Sequence, residues 1–463
     1  MTASAQLRIA RLAATPAVHR AFHWLHLQQP QLRKWHLEML RIPAPPFGEQ
    51  ARAAWFLERF EQLGLANPHI DAAGNALAEL PAAPTAPHDA SRHPERSEEP
   101  ALSPPKGAPY SGSTPELSSQ PASSTPLQPD TPLILLSAHL DTVFPSTTST
   151  EPTEVETRIV APGACDNAAG LSALLGLAAA LRHANLSPAV PILFAANVGE
   201  EGEGDLRGMR HLFTHSPYAP RIAAAIALEG GGSSAVVTRA LASRRFRVTV
   251  TGPGGHSWID AGAPNPILIL SRALLALESI DQAALTVSRD GHRTTLNIGQ
   301  ISGGTAINSI PASASAWLDL RSTDSAQLQA AEQALRQTLD QWITHAPASA
   351  AASKIPTPNL SIETIGDRPG GALPSDSPLL TTLRAVDRHL NLRTEPGLGS
   401  TDANIPLSLG IPAIAIGAGG IGGGIHTLQE WYDPTDRNPA LRRILLTLLD
   451  AAHLAATHKL RTP

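Results

Sequence analysis

The chain of 463 residues contains one cysteine, Cys165, so no disulfide can close within it, and a lone thiol fits a reducing compartment. No charge-free run is long enough to span a bilayer, and the first residues, MTASAQLRIARLAATP, lack the apolar stretch of a secretion signal. Together these absences predict a cytoplasmic protein with no membrane partner. A basic cluster is missing too. The net charge of −5 is spread along the chain, which argues against a nucleic-acid partner and in favour of small substrates. No GxSxG elbow occurs, which speaks against a serine hydrolase.

What the chain does have is enough apolar residue, 42%, for more than one core, and a length beyond that at which a single core stops growing, so two domains are expected. Residues 82–131 are rich in Pro, Ser and Ala and read as a disordered insert that cannot offset the entropy of ordering. The insert separates NALAELP from PLILLSAHLD, two strand-like runs that a short hairpin would otherwise join, and so is expected at a hairpin tip. Upstream, Ala54, Phe56, Leu57, Phe60 and Leu63 recur at helical spacing before Gly64.

Beyond the insert, the apolar runs PLILLSA, VPILFAAN, IAAAIALE and IPAIAIG alternate with helical patterns. One of these, AAGLSALLGLAAALR, places Leu171, Leu174, Leu175, Ala178 and Leu181 on one face. This predicts the α/β class: a mostly parallel sheet covered by helices, with ligands beyond the carboxyl ends of the strands. Between about 241 and 366 the order becomes β-α-β-β-α-β, the ferredoxin-like motif, here an insertion. The expected division is 1–240 and 367–463 for one domain and 241–366 for the other.

Acids and histidines gather at the ends of these runs. His139 and Asp141 in SAHLDTV are two apart and point the same way, so the carboxylate can accept the second ring N–H of a metal-binding His. Alone, the motif fits a surface pair equally well. Asp166 in GACDNAAG stands where a plain helix N-cap is the more common reading, although a carboxylate there can bridge two cations. Glu200 and Glu201 are adjacent; like charges so close call for a cation or shared proton, the plainer alternative being a solvated acidic loop that continues through Glu203 and Asp205. Glu229 in IALEGGG and His426 in GGGIHTLQEW are weak signals singly. As a set, two His, one Asp and two Glu are N/O donors suited to two Zn²⁺ ions, Co²⁺ or Mn²⁺ being alternatives, with a carboxylate left over as base; of Glu200 and Glu201, one can bind metal while the other holds a water.

Two rival motifs are weaker. GAGGIG at 417–422 matches GxGxxG but is followed by more glycine and Pro434 instead of a helix, so it favours close backbone approach over dinucleotide binding. His211 and His215 have zincin spacing, but Leu212 stands where the Glu is needed. A non-catalytic binding protein on the same fold would be expected to have lost ligands, and none is missing.

The series SAHLDTVFP, PGACDNAAG, VGEEGEGDLRG, ALEGG, GPGGHSW, GGTAINSIP, LDLRS, GSTDANIP and GIHTLQEW resembles that of the co-catalytic zinc exopeptidases and amidohydrolases typified by peptidase T, carboxypeptidase G, aminoacylase and succinyl-diaminopimelate desuccinylase. The resemblance implies that His139 and Glu229 bind one zinc, Glu201 and His426 the other, and that Asp166 bridges them. Glu200 is then the general base, Asp141 the partner of His139, and His256 an oxyanion donor from an inserted domain that acts as lid and dimerisation unit. Asn308, Arg321 and Ser400 match positions that hold the substrate. Asn167-Ala168-Ala169 departs from the Lys many relatives carry after the bridging Asp, and the subfamily signals are mixed. The implied function is a di-zinc aminopeptidase, di- or tripeptidase, or else a hydrolase of N-acyl or N-carbamoyl amino acids, and the resemblance implies a homodimer formed through the lid domain.

Overall fold

A computed structural model describes residues 2–83, 131–278, 293–344, 358–393 and 395–460. The proposed 82–131 insert lies almost wholly outside the described residues. The chain opens with three helices, α1 (Thr2–Ala13), α2 (Pro16–Leu27) and α3 (Gln29–Leu40), then α4 (Gln50–Gln62), β1 (Ala66–Ile70) and β2 (Ala76–Leu80). After the insert come β3 (Leu133–His139), β4 (Thr153–Val155), β5 (Arg158–Val160), α5 (Ala168–His183), β6 (Ile192–Asn197), α6 (Arg207–Thr214), β7 (Ile222–Leu228) and β8 (Ala235–Ala240).

The next stretch is β9 (Ala242–Thr251), β10 (Gly255–His256), α7 (Pro266–Ala276), β11 (Thr294–Gly303), β12 (Ser309–Ile310), β13 (Ser313–Ser322), α8 (Ser325–Thr344) and β14 (Asn359–Arg368). Last are β15 (Gly371–Ala372), α9 (Pro378–Leu390), β16 (Glu395–Gly399), α10 (Asn404–Ser408), β17 (Ala413–Ile416), β18 (Ile421–Gly423), β19 (Trp431–Asp433) and α11 (Asn438–Ala456).

The main sheet has the order β1-β2-β6-β3-β7-β17-β8-β15, with β16 beside β8. Its four central strands, β6, β3, β7 and β17, run parallel, while β2 pairs with β6 and β8 with β17 in antiparallel fashion. The sheet is therefore mixed, which corrects the expectation of a mostly parallel one. An apolar run reports burial and not direction: β2 is as fully buried as β3 yet runs the other way. The hairpin expectation fails as well, because β6 lies between β2 and β3, so the insert connects strands that are not neighbours.

Helix α5 also departs from its one-faced reading. Ala168 through Leu181 are all buried, because α2 and α3 pack on the side that faces away from the sheet. Its small residues permit this: a Cβ on Gly176 would press within 2.8 Å of the Leu32 side chain.

In the 242–368 stretch, β11-β13-β9-β14 form an antiparallel sheet of their own. Phe246, Val248, Val250, Leu318 and Leu320 pack on α7 and α8 in a hydrophobic cluster separate from the main one. The opposite face carries Ser243 level with Arg321 and Arg368, and Arg245 level with Asp319. Among the described residues no helix is long and apolar enough to cross a membrane.

Candidate metal centre

Parallel pairing brings the site together. His139 ends β3 level with Asn197, which ends β6, and Ser137 is level with Ala227 on β7; Glu229, two residues further on, therefore emerges beside His139. Glu200 and Glu201 follow β6 in a tight coil, where a Cβ on Gly204 would lie 2.5 Å from the Cα of Gly199. Asp166 and His426 do not sit at ends of the main sheet's strands as the sequence pattern suggested. They come from the loops after β5 and β18, in a small sheet of order β18-β19-β5-β4. His426 has φ 65°, a left-handed conformation that costs a non-glycine residue about 1–2 kcal/mol.

The five candidate ligands converge. His139 Nε2 lies 3.0 Å from Asp166 Oδ1 and 3.4 Å from Glu229 Oε1. His426 Nε2 lies 3.2 Å from Asp166 Oδ2 and 3.0 Å from Glu201 Oε1. The two oxygens of Asp166 thus face different histidines. Ligand atoms of His139, Asp166 and Glu229, and those of Asp166, Glu201 and His426, lie within 4.8 Å of one another, as do those of His139, Glu200 and Glu201. Four donors around a zinc-sized ion at about 2.0–2.1 Å stand roughly 3.3 Å apart, so these spacings suit two cations that share Asp166.

The electrostatics agree with that fit. Glu229 Oε2 is buried with no hydrogen-bond partner, and burial pushes the Glu229 carboxyl up to about 7. Burial likewise drives Glu200 well above the ordinary carboxylate range, with Arg368 and His139 pulling against it. Burial would depress His139, but Asp141, Asp166 and Glu229 outweigh it and hold the ring well above its usual value. Contacts to Asp166 and Glu201 raise His426 to about 10, and those to the two histidines hold Asp166 low despite its burial. The pocket concentrates negative charge that only protons or cations can balance.

Asp141 has a further role beside His139. His139 Nδ1 faces the main-chain oxygen of Asp141 at 3.0 Å and its carboxylate only at 3.6 Å. The carboxylate also accepts the main-chain N–H groups of Glu200 at 2.9 Å and Glu201 at 2.7 Å, holding the glutamate pair. Asp166 is not the N-cap of α5. Asn167 is, accepting from Gly170 N and Gly230 N and donating to Leu228 O, which gives this departure from the family pattern a structural role.

The remaining expected residues are spread out. Ser400 Oγ accepts from Arg368 at 3.1 Å. Arg321 pairs with Asp319 of its own strand. His256 and Asn308 lie exposed at the β10–β12 ribbon, where Ser257 N donates to Asn308 O. No hydrogen bond joins any of these four directly to the five candidate ligands among the described residues.

Three further groups went unread. Glu430, fully buried, accepts main-chain N–H bonds from Gly163 at 3.1 Å, Cys165 at 2.8 Å and Asp166 at 2.7 Å; burial raises its carboxyl and these donors pull it back. Asp402 accepts from Asn197 at 2.8 Å, and burial lifts it to about 6. Arg368 donates to Glu200. Glu430 and Asp402 lay within motifs already singled out, whereas Arg368 carried no local signal.

The glycines at 417–422 behave as expected, since a Cβ on Gly417 would lie 2.4 Å from Gly232 O and no helix follows. Beside Asp166 and Glu229 a cavity of about 430 Å³ opens between Cys165, Gly231, Ile421 and Ile425. Burial pushes the Cys165 thiol up to about 12.

Fold and site together define an α/β protein with a candidate two-cation centre beyond the ends of its parallel strands. Residues 135–450 match the model of peptidase family M20/M25/M40, and the chain belongs to that family. It is 35% identical over 205 residues to a probable carboxypeptidase of Aspergillus clavatus and 32% identical over 209 residues to one of Emericella nidulans. These stretches cover 41% and 42% of this chain and 44% and 49% of those proteins, so the chain spans about half the length of the curated relatives it matches.

Its fold is shared with a Staphylococcus aureus tripeptidase (19% identity, TM-score 0.63, 91% of this chain and 98% of that one). It is also shared with a Saccharomyces cerevisiae di-peptidase (12%, 0.65, 94% and 98%) and human carnosine dipeptidase 1 (15%, 0.63, 94% and 100%).

Proposed function

We propose that the chain is a cytoplasmic di-zinc hydrolase of amide bonds in small substrates, acting as an exopeptidase on di- and tripeptides, with aminopeptidase action first. The observation that carries this reading is the pair of contacts from the two oxygens of Asp166 to two different histidines, each histidine with a further glutamate beside it. When bound, two divalent cations polarise a carbonyl and bring the pKa of a bound water toward neutrality. His139, Asp166 and Glu229 would hold one, and Asp166, Glu201 and His426 the other.

Glu200 takes the proton of the attacking water and passes it to the leaving amine. Asp141 fixes the backbone from which Glu200 projects. At His256, Nδ1 accepts from Trp258 N and Ile259 N, which leaves the proton on Nε2 free to donate to the developing oxyanion once the 242–368 unit closes as a lid. Asn308, Arg321 and Ser400 are the proposed substrate anchors, and the same unit offers the surface for a homodimer.

Hydrolysis of N-acyl or N-carbamoyl amino acids is the second reading. The fungal relatives are named probable carboxypeptidases. Such an enzyme and an acyl-amino-acid hydrolase both act beside a free carboxylate. Zinc-loaded protein incubated with a tripeptide, an N-acetyl amino acid and an N-carbamoyl amino acid decides the matter. Release of the tripeptide's N-terminal residue is expected; hydrolysis of the acylated compounds alone would transfer the assignment, and turnover undiminished after metal removal would sink both readings.

A further inference from the structure

The loop that carries Glu200 is tied along its length to the sheet of the 242–368 unit. Arg368 ends β14 with its side chain 5% exposed. Its Nη1 donates to Glu200 Oε1 at 3.0 Å and to Ser400 Oγ at 3.1 Å, and its Nη2 donates to the main-chain oxygen of Glu200. One residue earlier, Asp367 N donates to both oxygens of Asp205 at 3.1 Å, and Arg210, paired with Asp205, donates to Asp367 O. On the adjacent strand β9, Arg245 Nη1 donates to Gly202 O at 2.6 Å. Glu200, Gly202 and Asp205 are therefore all bonded to β9 and β14, two neighbouring strands of another sheet.

A buried Arg–Glu pair is a poor stability device, because desolvation of both charges consumes most of their attraction. It is a good orienting device. A guanidinium is planar and presents its donors at fixed angles, so one that grips both the carboxylate and the carbonyl of the same residue leaves that side chain one conformation. Glu200 has an oxygen within 4.8 Å of ligand atoms of His139 and Glu201, so its orientation decides what it can reach at the metal centre.

We propose that Arg368 is a positioning residue: it sets the orientation of Glu200 from the 242–368 unit, so that the geometry of the base depends on how that unit is seated. The proposal rests on the reading of Glu200 as general base. Displacing a reacting group by an ångström costs about 10²-fold in rate, and that is the scale of the expected effect.

The test compares Arg368→Ala, Arg368→Lys and Glu200→Gln in the full chain, each checked for thermal unfolding and zinc content, on whichever substrate the parent turns over. Both Arg368 variants are expected to bind zinc as the parent does and to lose about 10²-fold in kcat with KM changed less than about threefold. Guanidinium in solution restores part of the kcat of Arg368→Ala and none of that of Glu200→Gln. In the metal-free protein, amide hydrogen exchange at residues 200–205 accelerates in both Arg368 variants.

If Arg368→Ala does not fold, Arg368→Lys decides, since an ammonium keeps the charge but cannot hold carboxylate and carbonyl in one plane. The proposal is overturned if a folded Arg368 variant keeps kcat within about twofold of the parent or raises it, or if its loss lies in KM and guanidinium does not restore it. Parental turnover in Glu200→Gln would instead remove the base assignment itself.

Discussion

Glu430→Gln is a nearly isosteric change that tests whether the bridging loop is held from behind. In the parent, one oxygen of Glu430 accepts from Cys165 N and Asp166 N at 2.8 and 2.7 Å, and the other accepts from Gly163 N at 3.1 Å. Glutamine can keep an oxygen on the first pair but turns an NH₂ toward Gly163, so a buried N–H loses its acceptor and meets a donor. An unpaired buried group costs about 1–3 kcal/mol, and exchanging charged for neutral acceptors at the other two bonds adds about 1 kcal/mol.

The metal-free protein should therefore unfold with about 2–4 kcal/mol less stability, read from urea titration. Part of this loss falls on Asp166. A group that orients a ligand is worth about 10- to 100-fold in metal affinity, or about 1.4–2.8 kcal/mol, measured by calorimetric titration of zinc into the apo protein. A Glu430→Gln variant with parental zinc affinity and an unchanged urea midpoint would refute the idea that this carboxylate holds the site.

Glu200→Gln should keep both cations and lose about 10²–10⁴-fold in kcat, checked by metal analysis beside steady-state kinetics; loss of metal instead would recast Glu200 as a ligand. His36, fully buried and stacked on Tyr432 at 5.2 Å, is depressed to about 3 chiefly by burial. Its effect on stability is nil above the unfolded value of 6.5 and grows as pH falls toward 3, reaching about 2 kcal/mol at pH 5. His36→Phe should accordingly flatten the decline in Tm between pH 7 and 5, and a parental slope in that variant would exclude His36 as its source.

His426 runs the other way. Raised to about 10, it stabilises the metal-free fold fully below 6.5, and that contribution disappears as pH rises through 10. Zinc must displace its proton, so titrations at pH 8 in buffers of different ionisation enthalpy should show proton release that falls by about one in His426→Ala. Identical heats in all buffers would contradict this.

The strands and the candidate ligands were legible because each is announced locally. β3, β6 and β7 are apolar runs that end in, or just before, a charged residue, and parallel neighbours must bring such ends to one edge. The 242–368 order was legible for the same reason: alternation in RRFRVTVTG and helical spacing in SAQLQAAEQALRQTLDQWI are properties of single segments. Strand direction and neighbour order are not. That β6 comes between β2 and β3, and that β2 runs antiparallel to β6 and β8 to β17, depends on contacts between segments far apart in the chain, which no window of sequence records. The first three helices, α1 to α3, went unread too. They are fastened partly by distant partners, Arg8 of α1 to Asp450 of α11 for one.

Three contacts that were missed share a physical character: they are made to main-chain atoms. Asp141 grips the N–H groups of Glu200 and Glu201, Glu430 those of Gly163, Cys165 and Asp166, and Arg368 the carbonyl of Glu200. A backbone group has the same chemistry whatever the residue, so the partner of such a contact leaves no mark on the sequence, whereas a side chain that binds a cation must be one of a few types. Each gripped loop carries candidate ligands whose mutual repulsion would spread it. Asp141 and Glu430 hold these loops by hydrogen bonds to main-chain N–H groups, and Arg368 grips both the carbonyl and the side chain of Glu200. These bonds to main-chain groups hold the loops by contacts that do not depend on whether protons or cations neutralise the acids between them.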